Sequence, residues 1–200
     1  MTQTTILFAV ITIAGLAASD INAEKKWQKH GSEDGISVFT ARFPASSVPN
    51  VKAVTIVDAP TEKVWQYITS TIQINGLKDK RTIDSCGTGC DYVYVRLGNW
   101  MITDRHYVIK VNWRVSDVNG YPGYVREWAQ TSERQANNPE GMPVRSIQGS
   151  WTLTPVNNGK QTRITYINHL DLGGSVPASL FSRGFVNNAY DILKNIRNNA

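Results

Sequence analysis

The chain has 200 residues, of which 41% are hydrophobic, 10% are aromatic and 18% are charged. This length and composition predict one globular domain, and they exclude both a disordered chain and a bundle of membrane-spanning helices. The net charge is +5, but the basic residues are scattered and no basic run exceeds two residues. We therefore expect no nucleic-acid partner.

The N-terminus carries an apolar segment that precedes the folded domain. Residues 6–18 form a run of about 13 apolar residues, which is shorter than the roughly 20 residues that span a bilayer. This pattern predicts a signal peptide over residues 1–23, cleaved after Ala23, and a mature domain over residues 24–200. An uncleaved anchor or a buried strand is the alternative. Export predicts a periplasmic or secreted protein.

Two cysteines enclose a glycine-rich turn. Cys86 and Cys90 flank Gly87-Thr88-Gly89, and strand-like runs lie on both sides of this segment. The spacing is typical of a hairpin turn that places the two thiols opposite each other, so we expect a disulfide in an exported protein. A redox or metal pair is the alternative, but the spacing differs from C-x-x-C and no histidine is nearby. We expect no metal site and no cofactor.

Most of the remaining chain has the period-two alternation that is typical of strands. A short helix with Pro60 in its first turn interrupts this pattern. The predicted strands cover residues 27–29, 36–43, 51–57, 81–86, 91–97, 105–115, 124–131, 144–154 and 162–172.

Alternation assigns one face of several strands to the interior. The predicted inward residues are Arg105, Tyr107, Ile109, Val111 and Trp113 in the first strand, Arg145, Ile147, Trp151 and Leu153 in the second, and Ile164, Tyr166, Asn168, Leu170 and Leu172 in the third. We therefore expect an interior that holds several aromatic and a few polar side chains.

The C-terminal segment predicts a long amphipathic helix. Pro177 suits a first helical turn, and an apolar stripe then runs from Leu180 to Ile196. A helix of this kind must bury its stripe, and the nearest apolar surface is the inside of the sheet. The predicted fold class is α+β, with a curved antiparallel β-sheet wrapped around a long C-terminal α-helix.

Several local motifs, in order along residues 25–197, resemble one family. They are Gly35-Ile36-Ser37-Val38, Ile102-Thr103-Asp104-Arg105-His106-Tyr107-Val108, Gly149-Ser150-Trp151-Thr152-Leu153-Thr154-Pro155, and Asp171-Leu172-Gly173-Gly174-Ser175-Val176-Pro177. The chain is similar to the START family of steroidogenic-acute-regulatory-related lipid-transfer domains, as a secreted bacterial-type member. The resemblance implies the helix-grip fold, with one lipid enclosed in a tunnel between the sheet and the C-terminal helix.

The resemblance also implies candidate ligand contacts. In phosphatidylcholine-binding relatives the arginine of the Arg-Asp motif meets the lipid phosphate, which points to Arg105. A structural ion pair of Arg105 with Asp104 or Glu127 is the alternative. Other residues are expected to line the tunnel or to be ordinary core; they are Tyr107, Trp128, Tyr166, Asn168, Phe181, Gly184 and Phe185.

These candidates favour a lipid-binding or lipid-transfer protein over an enzyme. Val111 stands where sterol-binding members carry a cavity arginine, so we expect an amphipathic lipid such as a phospholipid rather than a sterol. We also expect a monomer that contacts membranes transiently. One alternative is a helix-grip enzyme similar to polyketide cyclases, with Glu127, His106 or His169 as acid or base. The other is a sensor or carrier without transfer activity.

Overall fold

A computed structural model of the chain describes residues 26–71, 76–99, 102–174 and 178–200, so the predicted signal peptide lies outside the described residues. No helix within these ranges is long and apolar enough to cross a membrane. The elements are β1 (Gln28–Glu33), β2 (Ile36–Phe43), β3 (Ser46–Val57), α1 (Thr61–Ser70), β4 (Leu77–Gly87), β5 (Cys90–Asn99), β6 (Ile102–Val118), β7 (Tyr121–Gln130), β8 (Met142–Pro143), β9 (Ser146–Val156), β10 (Gln161–Asp171) and α2 (Ala178–Asn199).

The strands form one open sheet in the order β1-β2-β3-β10-β9-β7-β6-β5-β4. Each neighbouring pair along this path is antiparallel, and β10 joins the N-terminal meander to the rest of the sheet. The short strand β8 pairs with β6 in parallel and was not predicted, because two residues carry no alternation. The predicted antiparallel sheet and C-terminal helix are therefore confirmed.

Turn chemistry explains where the best-predicted hairpin reverses. Asn157 and Asn158 adopt φ values of 49° and 52° between β9 and β10, and Gly159 follows at 74°. Asparagine and glycine are the residues that adopt this left-handed region most readily, so the turn fixes the register of the two strands.

Both helices lie on one side of the sheet, which we call the inner face. From α2, Val186, Ala189, Leu193 and Ile196 pack into the core, and α1 adds Val64 and Ile68. The helix α2 packs mainly on β2 and β3. The buried sheet residues of this cluster are Ile36, Val38, Val51, Ala53, Val57, Trp151, Leu153, Ile164 and Tyr166.

A second apolar cluster covers the inner face of the other half of the sheet. It comprises Val93, Val95, Leu97, Tyr107, Val111, Val144, Ile147 and Leu172. Trp128 packs against both clusters. Among the described residues, α2 makes no contact with β5 or β6 comparable to its packing on β3. Trp128 therefore lies between the two apolar clusters.

The opposite side of the sheet is called the outer face. Part of it, at one end of β10, is also buried. His169 is only 1% exposed because the ring of Phe43, at the end of β2, stacks on it with centroids 3.8 Å apart. Ser46 donates a hydrogen bond of 2.5 Å to Asp171 on the same face. Arg145 was predicted to point inward, and this is wrong. It precedes β9, its side chain is 56% exposed, and it pairs with Asp171 at 3.2 Å.

Candidate functional site

Four aromatic side chains meet on the inner face and form what we call the inner aromatic surface: Tyr107, Trp128, Trp151 and Tyr166. Trp151 lies opposite Tyr166 in the β9–β10 ladder, and their rings stack with centroids 4.2 Å apart. Trp128 lies 6.4 Å from the Tyr166 ring in a tilted arrangement. The structure therefore brings together three predicted site residues, Tyr107, Trp128 and Tyr166.

A glycine allows the Trp128 indole to lie against the sheet. Gly149 is directly opposite Trp128 in the β7–β9 ladder. A Cβ atom at Gly149 would lie 2.3 Å from Cζ2 of Trp128 and 2.5 Å from the carbonyl oxygen of Ile167. No side chain fits at such distances, so the glycine fixes where the indole lies.

The hydroxyl groups of Tyr107 and Tyr166 lie in a desolvated region. The two residues are 5% and 7% exposed. Burial raises the pKa of both phenols, and the neighbouring Tyr107 contributes to the raised pKa of Tyr166. Neither hydroxyl has a hydrogen-bond partner among the described residues. A phenol hydroxyl can donate and accept one hydrogen bond, so each can bind a polar group that reaches it.

Arg105 is buried, at 6% exposed, and its contacts are with backbone carbonyls. Its Nε donates to the carbonyl oxygen of Leu172 at 3.0 Å, and its Nη1 donates to that of Thr103 at 2.8 Å. Its Nη2 lies 3.1 Å from where a Cβ of Gly174 would be.

The carboxylates considered as structural partners of Arg105 are paired elsewhere. Asp104 pairs with Arg96 at 3.5 Å, and Glu127 pairs with Arg114 at 2.7 Å. The expected alternative of an ion pair with either residue is therefore wrong. Arg105 instead links the start of β6 to the segment that leads into α2.

The remaining predicted contacts lie on α2 and on β10. Phe185 is partly buried and packs against the core beneath the helix. Gly184 is exposed, and a Cβ there would meet nothing within 4 Å. Asn168 is partly buried on the inner face, opposite Gly149 and Val51. The side chain of Phe181 lies outside the described residues.

The acid and base candidates of the enzyme alternative lie on the outer face. Glu127 pairs with Arg114 there, and Nδ1 of His106 lies 3.1 Å from the carbonyl oxygen of Glu140. His169 contacts Phe43 and lies 2.9 Å from the Ser146 hydroxyl. None of the three reaches the inner aromatic surface.

The cysteine hairpin has the predicted form. The turn between β4 and β5 places the Cα atoms of Cys86 and Cys90 5.1 Å apart, and the two residues form a disulfide. The Trp113 amide donates a hydrogen bond of 2.8 Å to the carbonyl oxygen of Gly89 at this turn. The hairpin tip is thus attached to β6.

Sequence reasoning missed three charged residues on the inner face, which are Lys80, Asp91 and Arg126. Arg126 alternates with Tyr124 and Trp128 along β7, and this alternation is the signal that could have identified it. Burial lowers the pKa of Arg126, while Asp91 opposes this change. The inner face is therefore more polar than the sequence indicated.

A separate cavity of about 260 Å³ opens where the β1–β2 turn meets α2. Its lining residues are Glu33, Asp34, Ile36, Asn187, Tyr190, Asp191 and Lys194. Lys194 crosses it to pair with Asp34 at 3.2 Å. This cavity lies apart from the inner aromatic surface and contains none of the predicted ligand contacts.

The chain is similar to known proteins in its fold but not in its sequence. No protein-family model matches the chain, and no curated protein matches it. The lipid transfer and protein localization domain of human StarD13 superposes with a TM-score of 0.72 at 17% identity, covering 88% of this chain and 89% of that one.

Two further solved structures agree with this result. A STAR-related lipid transfer protein fragment from Xanthomonas axonopodis has a TM-score of 0.69 at 18% identity, covering 86% of this chain and 97% of that one. Human StAR-related lipid transfer protein 5 has a TM-score of 0.71 at 14% identity, covering 86% and 85%. The chain therefore has a START-like helix-grip fold, an open antiparallel sheet that holds a C-terminal helix.

Proposed function

We propose that the protein binds one amphipathic lipid over the inner aromatic surface and transfers it between membranes. The observation that carries this proposal is the inner aromatic surface, where the phenol groups of Tyr107 and Tyr166 lie on one face with Trp128 and Trp151 and burial raises the pKa of both phenols. These side chains lie between the two apolar clusters, and Trp128 packs against both. Apolar sites with a few convergent polar groups are the usual binding sites for small amphipathic molecules.

The polar head of the lipid is proposed to lie near Arg105. Two nitrogens of its guanidinium donate to backbone carbonyls, and Nη2 has no hydrogen-bond partner among the described residues, so it can donate to an anionic group. A phosphate is the acceptor that suits a guanidinium best, which favours a phospholipid over a sterol. Val111 on the same face is apolar and offers no second anchor for a sterol hydroxyl.

Binding without chemistry is supported by the location of the acid and base candidates. Glu127, His106 and His169 lie on the outer face, away from the proposed ligand. Export is proposed as well, from the apolar N-terminal run and the disulfide. Intact-mass measurement of the exported fraction tests it: we expect a chain that starts near Glu24, and a full-length chain would contradict export.

Extraction of labelled lipid from donor vesicles tests the proposed function. We expect transfer of labelled phosphatidylcholine to acceptor vesicles, and a loss of transfer when Phe181 or Phe185 is replaced by aspartate while circular dichroism remains native. Tighter binding of cholesterol than of any phospholipid would reject the proposed head-group contact. Binding without delivery to acceptor vesicles would identify a carrier instead.

A further inference from the structure

The β6–β7 hairpin projects beyond its neighbouring strands at one end of the sheet. β5 pairs with β6 only up to Asn112, and β9 pairs with β7 only from Tyr124 onward. Residues 113–117 of β6 are exposed on both faces of the strand. The end of this hairpin is therefore open to solvent on either side.

The projecting end of the hairpin carries large apolar side chains. Trp113 is 42% exposed, Val115 is 50% exposed and Tyr121 is 39% exposed. Val115 lies opposite Tyr124 in the β6–β7 ladder, so these two side chains share the inner face. Trp65 of α1 stacks on Tyr124 with centroids 5.0 Å apart and lies 6.2 Å from the Trp113 ring. We call these five residues the hairpin patch.

The cysteine hairpin holds Trp113 in place. Gly89 lies between Cys86 and Cys90, and its carbonyl oxygen accepts a hydrogen bond of 2.8 Å from the Trp113 amide. A Cβ atom at Gly89 would lie 2.6 Å from the Trp113 carbonyl oxygen and 3.7 Å from Cδ2 of its ring. The disulfide-bonded turn therefore packs closely against Trp113, while the indole remains largely exposed.

The hairpin patch is continuous with the inner aromatic surface. Trp113 follows Val111 by two residues on the same strand, so the two side chains share a face. Val111 is buried in the second apolar cluster and lies opposite Trp128 in the β6–β7 ladder. Apolar side chains therefore connect the exposed patch to the proposed lipid site.

The charges around the hairpin patch are balanced. Residues 113–127 and the first turn of α1 carry three cationic and three anionic side chains, which are Lys63, Arg114 and Arg126 against Glu62, Asp117 and Glu127. A surface without net charge gives no electrostatic attraction to an acidic or a basic partner. Any association through this patch must come from its aromatic and apolar groups.

We propose that the hairpin patch docks the protein on a lipid bilayer, with Trp113, Val115 and Tyr121 inserted among the head groups. Trp and Tyr side chains concentrate at membrane–water interfaces because their rings are apolar while their N–H and O–H groups reach water. A narrow hairpin that is exposed on both faces can insert there, whereas a protein partner needs a broad surface of about 800 Å² on each side. This inference rests on the proposed lipid-binding function and names the surface where lipid is exchanged.

The test uses vesicles of phosphatidylcholine alone, because they have no net charge and do not attract the positively charged chain. Flotation measures how much of the mature, disulfide-bonded protein binds, and we expect binding that added salt leaves unchanged within twofold. Brominated phosphatidylcholine quenches indole rings that contact it. At saturating vesicle concentrations it should quench the wild type more than Trp113→Phe, and equal quenching would overturn the insertion.

Variants locate the contact. Trp113→Ala and Val115→Asp should each lower vesicle affinity about tenfold, because burial of an apolar side chain contributes at least that factor. Trp27→Ala is the matched control, since Trp27 contacts Lys52 of β3, four strands away from β6. It should leave vesicle affinity unchanged within twofold. Binding that survives both hairpin substitutions would overturn the inference, and if one of these variants does not fold, the other still decides.

Two further outcomes would assign the hairpin patch to something else. A dimer that forms in sedimentation measurements and is lost in Trp113→Ala would identify a second copy of the chain as the occupant. Weaker binding of dissolved short-chain phosphatidylcholine by Trp113→Ala would place the ring in the lipid site itself. We expect a monomer, and equal affinity of the two proteins for the dissolved lipid.

The failures of this inference and of the proposed function are distinguishable. Short-chain phosphatidylcholine below its micelle concentration reaches the inner face without a vesicle. Binding of this dissolved lipid without binding to vesicles would overturn the docking surface alone. Failure to bind either form of the lipid would contradict both proposals.

Discussion

Arg105 and Leu172 are joined by a hydrogen bond of 3.0 Å that connects the start of β6 to the residue after the end of β10. Leu172 directly follows β10 in the chain, so this contact joins the end of β10 to the start of β6. The guanidinium therefore has a structural role that is independent of any ligand.

Replacing Arg105 by leucine should destabilise the lipid-free protein. The carbonyl oxygens of Leu172, which is buried, and of Thr103 would lose charged donors, at a cost of about 2–3 kcal/mol. Chemical denaturation measures the change. Arg163→Leu is the control, because Arg163 is exposed and its replacement should cost less than about 1 kcal/mol. Equal stability of Arg105→Leu and the wild type would show that these hydrogen bonds contribute nothing.

A methyl group at Gly149 should disturb the inner aromatic surface. The added Cβ would overlap the Trp128 indole, and we expect a loss of about 1–3 kcal/mol together with a changed near-ultraviolet circular dichroism signal. The matched control is Gly184→Ala, because Gly184 lies within α2 and an added Cβ there meets open space. That variant should gain about 0.5–1 kcal/mol from helix propensity. If Gly149→Ala changed neither the stability nor the near-ultraviolet signal, the close contact with Trp128 would be contradicted.

Removing the phenol groups should not destabilise the lipid-free protein. Tyr107→Phe and Tyr166→Phe delete hydroxyls without a described partner, so thermal unfolding should be unchanged or shifted upward. In Tyr94→Phe, by contrast, the amide of Glu140 loses its acceptor at 3.2 Å, which should cost about 1 kcal/mol. If Tyr107→Phe and Tyr166→Phe lost as much stability as Tyr94→Phe, protein groups would already form hydrogen bonds with these hydroxyls.

Asp171 should make folding sensitive to acid. Burial by itself would raise the pKa of this carboxyl group, but hydrogen bonds from Ser46 and the Gly173 amide, together with Arg145, outweigh burial and lower it. A carboxyl group with a lowered pKa stabilises the folded state when the pH is above its unfolded-state pKa of about 3.9. This stability is lost as the pH falls through the lower, folded-state pKa.

The pH dependence of the melting temperature, measured in parallel for the wild type and Asp171→Asn, tests this. The difference between the two proteins should be constant near neutral pH and should shrink below about pH 4. A difference that does not change between pH 7 and pH 2.5 would show that Asp171 does not contribute through its charge.

Local patterns predicted the strands and hairpins because alternation and turn residues act over a few neighbours. The β9–β10 hairpin is the clearest case, since its turn carries Asn157-Asn158-Gly159 and its inner face carries Ile164 and Tyr166.

Features that depend on distant contacts were not predicted. The burial of His169 needs Phe43 from another part of the chain, and the partners of Arg105 are backbone carbonyls with no side-chain signature. Arg126 was missed because both faces of β7 mix apolar and charged residues. Its alternation with Tyr124 and Trp128 is a weak signal, and the pairing with Trp113 and Trp151 assigns its face.

Native mass spectrometry of the protein purified gently from its own host tests the central claim most directly. The account predicts a 1:1 complex with one lipid, which organic extraction releases as an amphipathic molecule with an anionic group. The bare protein mass, both as purified and after incubation with a lipid extract of the host, would contradict it.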